Sequence, residues 1–486
     1  MLELTVQDIK LAVGGDWIRR PDDATGKEAD DSTRALAVRV GKICTDTREL
    51  LAGDVFVALQ GLNFDGSAFL KQAQAKGAKA LVTSKLPDGF TPDIPTIYIA
   101  DSLKAYGRIA RYYRDQLAPC VVGITGSNGK TTTRELTAAL LRRKFQVLQN
   151  YDNDNNRVGV PKTLLRMSDL HDMAVIEMGT NEPGEIAELA AISRPQCAVL
   201  TNISESHLSG LGTLEGVLQE KSDLLAALPS DGIAIVNFDD PRCAKAAERA
   251  NCRVVSYGTD TRCELFASDI RVNRFGCNFL LNGLHDFRIP LHGVHNISNA
   301  LAAIAVGWVF GVPMADMQVA LRRIEPVGRR LEYRDFADIE ILDDSYNANP
   351  ASTSAALQTL GRFDCKGQRI AVLADMLELG ETSERLHREV AYIGAEQPID
   401  LVVAIGPEMN KAAEVFEEHF LKTGHGAVWR FDSAEDAAPV IVAESRPNDL
   451  LLLKGSNGMK LNKILEAFER KFTPASGRVT RPTLRE

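Results

Sequence analysis

No two of the eight cysteines (44, 120, 197, 243, 252, 263, 277 and 365) fall in a C-x-x-C spacing. That argues against a zinc site or a dithiol couple and leaves reduced, mostly buried thiols as the expectation. Nowhere do about 18 apolar residues run together, the length a membrane span requires. The first twenty residues, MLELTVQDIKLAVGGDWIRR, hold no basic leader followed by an apolar core, so a cytoplasmic protein without a membrane span is expected. Aromatic residues make up only 6% of the chain, and its basic residues are scattered against a net charge of −9. A protein that grips nucleic acid needs a basic, aromatic-studded face, so no nucleic-acid partner is expected, and any anionic ligand must be held locally. There is no internal repeat and no low-complexity block. What the chain does have is size and apolar content: 486 residues, 45% of them apolar, enough for about three domains that each bury a core.

Those domains can be placed by period. Residues 1–100 read as a small α/β unit, with strands GDVFVAL and AKALVTS around the helix DGSAFLKQAQAKG. DSLKAYGRIARYYRDQLAP then reads as a helix stopped by Pro119. From 101 to 328, the apolar runs CVVGIT, FQVLQ, MAVIEMG, QCAVLTN, GIAIVNF and RVVSYG alternate with helical patterns, as in a mostly parallel sheet covered on both faces. Residues 263–290 are more polar and suggest an antiparallel annex, and HNISNALAAIAVGWVFG closes the domain as a helix. Residues 329–486 repeat the α/β logic with IEILDDS, RIAVLAD, DLVVAIG, AVWRF and DLLLLKG, a small Rossmann-like sheet. No G-x-G-x-x-G follows any of its strands, so dinucleotide binding is not implied. The tail TPASGRVTRPTLRE is polar and is expected to fray.

The most informative stretch is VVGITGSNGKTTTREL, a buried strand, a glycine loop and a helix in immediate succession. Gly126 and Gly129 let the N–H groups of Ser127 and Asn128 close around an anion. Lys130 would reach the outer phosphates, and Thr131 could put its hydroxyl on a magnesium ion, with Thr132 beside it on the helix N-terminus. The broad P-loop pattern requires a further glycine where Ile124 stands, and the bland alternative is a glycine turn that starts an ordinary helix. A phosphate loop also needs an acid at the end of a neighbouring strand, and MAVIEMGTN offers Glu177. The next strand leads to His207 in SESHLSG, and the following helix carries Lys221 in an apolar and acidic setting. Loops after successive parallel strands converge at one sheet edge, so Thr131, Glu177, His207 and Lys221 could meet there. Taken singly, Glu177 reads equally as a solvated edge residue, His207 as a surface loop residue and Lys221 as a solvated helix position.

Taken together, these segments resemble the Mur ligase family over nearly the whole chain. TDTRELLAGDVFVALQGLNFDG is similar to the family's uridine-nucleotide segment, and NYDNDNNRVGVPKTLL to an N-x-N-N-x-x-G-V-P segment typical of one member. IEMG, SHLSGLGTLEGVLQEKSDLL, GVHNISNALAA, PVGRRLE, DDSYNANPAS, LADMLELGE and LLLKGSNGMK follow in the family's order; Ser67 departs from it, since relatives often carry His after D-G. The resemblance implies an ATP-dependent ligase that phosphorylates a carboxylate and lets an amine attack the acyl phosphate. The substrates implied are UDP-N-acetylmuramoyl-tripeptide and D-alanyl-D-alanine, with ATP and two Mg²⁺ ions, in a monomer. By the same resemblance Lys130, Glu177, His207 and Lys221 are catalytic, and Thr131, Glu177, His207 and a carbamylated Lys221 hold metal. Asn296, Arg329, Asp344, Tyr346 and Asn347 join the loop residues 126–132 as ATP contacts, and Asp46, Thr47, Arg48, Asn155 and Asn156 bind substrate. Asn296 also reads as a helix N-cap, Arg329 as a surface charge and Tyr346 as a packing residue. The competing functions are a sister ligase that adds a diamino acid, a folylpolyglutamate-type ligase, a P-loop switch or motor, and a non-catalytic binding module.

Overall fold

The computed structural model describes residues 4–19, 39–61 and 64–472; the C-terminal tail read as frayed lies outside them. Its architecture is α/β throughout, built on three large sheets, with a two-stranded ribbon formed by Gln60–Gly61 and Phe64–Asp65. The first has five strands in the order Asp16–Arg19, Thr96–Tyr98, Ala80–Thr83, Val55–Val57 and Ile43–Cys44, parallel except at the Asp16–Arg19 edge. The helix expected over DGSAFLKQAQAKG starts as a 3-10 turn at Gly66–Phe69, capped by Asp65, and becomes α-helical at Leu70–Ala75. The 16-residue helix Ser102–Leu117 leads out of this unit and stops at Ala118, which is left-handed and precedes Pro119.

The nine-stranded central sheet runs His285–Ile289, Gly276–Leu281, Leu265–Asn273, Arg253–Gly258, Ile233–Asn237, Cys197–Leu200, Cys120–Thr125, Met173–Glu177 and Val147–Gln149. Its six strands from Cys120–Thr125 to Arg253–Gly258 are mutually parallel, and the annex at 265–289 is antiparallel as expected. Side chains alternate across a strand, and both faces are buried. Val121, Ala174, Ile176, Ala198 and Leu200 point to a core shared with Ile186, Leu189, Val217 and Leu224. Val122, Ile124, Val175 and Val199 point to the other, shared with Leu136, Leu140, Ala300 and Ile304. That second layer is the pair of helices Lys130–Leu141 and His295–Val309, in which Ala300, Ala302, Ala303 and Ala305 are fully buried. Alanines let the two backbones approach closely, which brings the start of one helix to the start of the other.

The third sheet has six strands: Glu332–Phe336, Ile339–Asp344, Leu450–Lys454, Arg369–Ala374, Leu401–Ile405 and Ala427–Phe431. All neighbours are parallel except the first pair. The edge strand Glu332–Phe336 is half-polar and has no counterpart among the sequence-based strands.

Candidate active site

In the central sheet the strand Cys120–Thr125 lies between Cys197–Leu200 and Met173–Glu177, so the loops leaving all three open on one edge. A cavity of about 790 Å³ occupies that edge. It is lined by Ser127 to Thr132 from the phosphate loop, and by Asn155, Asn156, Glu177, His207, Asn296 and Asn299. From the third unit come Arg330, Asp344, Tyr346, Asn347, Asn349 and Lys454.

The loop is held open by contacts that only glycine permits. Gly126 has φ +151°, and a Cβ there would lie 1.9 Å from Thr201 Oγ1; Gly129 has φ +78°, and a Cβ would lie 2.2 Å from Asn299 Oδ1. Between them the Ser127 N–H donates to the Asn202 carbonyl at 2.9 Å, and the Asn128 N–H to Asn202 Oδ1 at 2.9 Å. Thr201 Oγ1 donates to the Asn128 carbonyl at 2.6 Å. The loop is thus fastened to the neighbouring strand end, and its last glycine opens the helix Lys130–Leu141 with no side-chain cap of its own. Uncapped N–H groups at a helix start form an anion site. Lys130 Nζ donates to the carbonyls of Gly126 (2.8 Å) and Ser127 (3.2 Å), which folds the ammonium over the loop. Burial lowers its pKa, and the Arg330 charge adds to this while Glu177 opposes it.

Thr131 Oγ1 accepts a hydrogen bond from Arg330 Nη2 at 3.1 Å, a contact that crosses from the third unit to the phosphate loop. Arg330 also lies over the Tyr346 ring, 3.8 Å from its centroid. Arg329, the arginine assigned from sequence, stands 5.5 Å from the same ring and does not line the cavity. Glu177 is 2% exposed and pairs with Arg134 Nη1 at 3.1 Å, while Asn155 Nδ2 donates to its other oxygen at 2.8 Å. His207 is left-handed (φ +53°), and its Nδ1 lies 2.8 Å from Oε2 of Glu378, another residue of the third unit. Asn128 Oδ1 accepts from Asn349 Nδ2 at 2.7 Å. These contacts, with the Ser209 N–H donating to the Glu378 carbonyl at 3.3 Å, join the third unit to the loops at the edge of the central sheet.

Asn296 is not the helix N-cap, which is Val294. Its Nδ2 donates to the His292 carbonyl at 2.7 Å, and its Oδ1 accepts from Asn299 at 2.9 Å. Asp344 pairs with Lys454 at 2.8 Å, the residue directly opposite it in the parallel register, and Lys454 also donates to the Asn347 carbonyl at 2.6 Å. Asn156 Oδ1 accepts from the Val158 and Gly159 N–H groups.

Two groups of expected residues stand apart from this lining. Lys221 is 1% exposed in the helix Leu214–Ala226 and does not line the cavity. Burial, reinforced by the Lys130 charge and opposed by Glu220, holds its pKa well below the usual lysine value. Asp46, Thr47 and Arg48 sit in the first unit, also outside the lining. Arg48 is 87% exposed and hydrogen-bonds Asp46, holding that carboxyl down at about 2, while Thr47 donates to Gln72 at 2.9 Å. Arg134, Arg330, Glu378, Asn299 and Lys454 had no assignment from sequence, although PVGRR, LADMLELGE, HNISN and LLLKGSN carry four of them. Among the described residues no group of three or more His, Cys, Asp or Glu side chains is gathered so as to hold a metal ion, and no helix is long and apolar enough to cross a membrane.

A glycine phosphate loop at the carboxyl edge of a parallel sheet, faced by arginine and a polar segment from a following α/β unit, defines a nucleotide-phosphate-binding enzyme of the P-loop class. Residues 39–114 match the Mur ligase family catalytic domain, 124–307 the Mur ligase middle domain, and 329–457 the Mur ligase glutamate ligase domain. The chain belongs to the Mur ligase family. It is 35% identical to the UDP-N-acetylmuramoyl-tripeptide–D-alanyl-D-alanine ligase of Bacillus subtilis, over 87% of this chain and 92% of that protein. It is also 35% identical to the Escherichia coli protein of the same name, over 90% and 95%. A crystal structure of MurF from Acinetobacter baumannii superposes with TM-score 0.85 at 30% identity, covering 96% of this chain and 99% of that one. MurF of Thermotoga maritima in complex with ADP does so with TM-score 0.78 at 26% identity, covering 89% and 97%.

Proposed function

We propose that this protein is an ATP-dependent amide ligase that joins D-alanyl-D-alanine to UDP-N-acetylmuramoyl-tripeptide in peptidoglycan precursor synthesis. The observation that carries this is the cavity in which a phosphate loop and Glu177 face Arg330 and the Asp344–Asn349 segment. The names of the relatives, matched over about nine-tenths of their length, supply the substrates, and the ADP complex of one neighbour supports ATP use.

The chemistry must bring a carboxylate to a γ-phosphate, two groups of like charge. Positioning and cationic shielding are therefore the main tasks. Lys130, the uncapped N–H groups at the helix start (Lys130 to Thr132) and Arg330 hold the phosphates, the Ser127 and Asn128 N–H groups expected to do so being taken up by Asn202; Arg329, one residue before Arg330, stands against the Tyr346 ring. Asn296 offers an amide to the base, and Asp344, Tyr346 and Asn347 contact ribose and base from the third unit. Thr131, Glu177 and His207 all line the cavity; the hydroxyl and the carboxylate are oxygen donors of the kind Mg²⁺ takes, phosphate oxygens would complete the set, and His207 is the third metal-holding residue of this reading. Bound there, Mg²⁺ would supply charge neutralisation between the phosphates and the incoming carboxylate.

Lys221 fits as a carbamate. An ammonium buried without compensation costs several kcal/mol, so the site favours the neutral amine, the form that takes up CO₂, and the product offers oxygen in place of a repelling cation. Residues 1–100 hold the uridine nucleotide through Asp46, Thr47 and Arg48; 101–328 bind ATP, and 329–486 close over it. The enzyme acts as a cytoplasmic monomer.

The test is a panel of amine acceptors offered with ATP, Mg²⁺ and UDP-N-acetylmuramoyl-tripeptide, with products read by mass. D-Alanyl-D-alanine is expected to give the pentapeptide product. A product with a diamino acid or glutamate and none with the dipeptide would assign the protein to a sister activity.

A further inference from the structure

The segment Asn150–Asn156 reads from sequence as substrate-binding through Asn155 and Asn156. Both line the cavity, but the Asn155 side chain is engaged by Glu177 and Asn156 Oδ1 by the backbone that follows it. Asn155 Nδ2 donates to Glu177 Oε1 at 2.8 Å, while Arg134 Nη1 donates to Glu177 Oε2 at 3.1 Å. Arg134 is 3% exposed and is itself held in place: Nη2 donates to Glu135 Oε1 at 2.7 Å, and Nη1 to the Asp152 carbonyl at 2.9 Å. Asn150 grips the Glu177 backbone in both directions, Nδ2 to its carbonyl at 2.9 Å and its N–H to Oδ1 at 3.0 Å. The Asn155 carbonyl accepts from the Gly179 N–H at 2.8 Å, and a Cβ on Gly179 would lie 2.9 Å from Asn155 Oδ1.

We infer that Asn155 and Arg134 are positioning residues, a two-sided clamp that fixes the Glu177 carboxylate toward the metal–nucleotide complex. The inference rests on the ATP- and Mg²⁺-dependent reading above. A carboxylate has about four lone-pair directions; the clamp takes one on each oxygen, fixes the rotation of the group and leaves the others for a hard cation. Arg134 also supplies the positive charge in direct contact with the Glu177 carboxylate, in addition to the more distant charges of Lys130 and Arg330. Residues that orient a metal ligand typically change metal affinity by about 10–100-fold when removed.

The experiment uses the full chain with Asn155→Ala, Asn155→Asp and Arg134→Met, and reads Mn²⁺ binding in the presence of ADP by electron paramagnetic resonance. KM for UDP-N-acetylmuramoyl-tripeptide is measured alongside. Asn155→Ala truncates a half-buried side chain and should fold; Arg134→Met leaves Glu177 without the cation in contact with it and is the variant at risk, so Asn155 decides the question. The expected result is Mn²⁺ affinity weakened about tenfold or more by Asn155→Ala and further by Asn155→Asp, with KM for the nucleotide-linked tripeptide within about twofold of wild type. Unchanged Mn²⁺ affinity with that KM raised tenfold would overturn the clamp and return Asn155 to the substrate. Wild-type protein that binds neither Mn²⁺ nor ADP would overturn the nucleotide reading and the clamp together, an outcome distinct from the first.

Discussion

Lys130→Ala is expected to lower the rate of phosphate release by about a thousandfold while leaving the fold intact. The ammonium lies over the phosphate loop on two carbonyl oxygens, close enough to Glu177 and Arg330 for their charges to bear on it. In the proposed ligase that ammonium would lie beside the charge that shifts during transfer. Removing one such preorganised group costs roughly 10²–10³ in kcat, and phosphoryl transfer depends almost wholly on positioning and electrostatics. Alanine is the best helix former and stands here at the first position of a helix, so the thermal melt should scarcely move. A variant that kept more than a tenth of wild-type activity would show that the loop is not the catalytic phosphate site.

Lys221→Ala should be nearly inactive, and acetate or another small carboxylate should restore part of the activity. The side chain is 1% exposed, so truncation leaves a space that a small anion can occupy, and an anion there supplies the oxygens and the charge of a carbamate. The depressed basicity of Lys221 arises first from burial and then from Lys130; both disfavour an ammonium, and neither disfavours the neutral amine that reacts with CO₂. Stability must be followed in parallel, because deleting three buried methylenes and the amine costs on the order of 2–5 kcal/mol. Rescue by short amines, or full activity without rescue, would show that Lys221 acts as a cation or not at all, and its place in the metal site would have to be withdrawn.

The parallel strands around the phosphate loop were legible because each is a short continuous apolar run, buried on both faces, between glycine-rich or polar breaks. The same rule fails at the edges. Glu332–Phe336 reads EYRDF, half charged, and earns its place only by pairing with Ile339–Asp344, while Asp16–Arg19 is four residues long. Within the site, motifs supplied residue identities but not directions. Arg329 and Arg330 are adjacent and equally charged; the fold, with left-handed backbone on both sides of Arg330 (Arg329 φ +58°, Leu331 φ +50°), is what brings Arg330 to Thr131. The contact of His207 with Glu378 spans 171 residues and leaves no local trace in the chain. Lys221 was placed in an apolar and acidic setting, which its burial matches, yet it sits behind the cavity lining, close enough to Lys130 for the two charges to interact. Asn155 was singled out by a motif whose pattern cannot say that its partner is Glu177 rather than a ligand.

The central claim is that one substrate is activated at the expense of ATP and the other captures it. Phosphate release by the purified protein with ATP and Mg²⁺ tests this most directly, measured with UDP-N-acetylmuramoyl-tripeptide alone, D-alanyl-D-alanine alone, both, and neither. Sustained turnover only when both are present is the predicted result. Equal, rapid turnover with neither present would contradict the account.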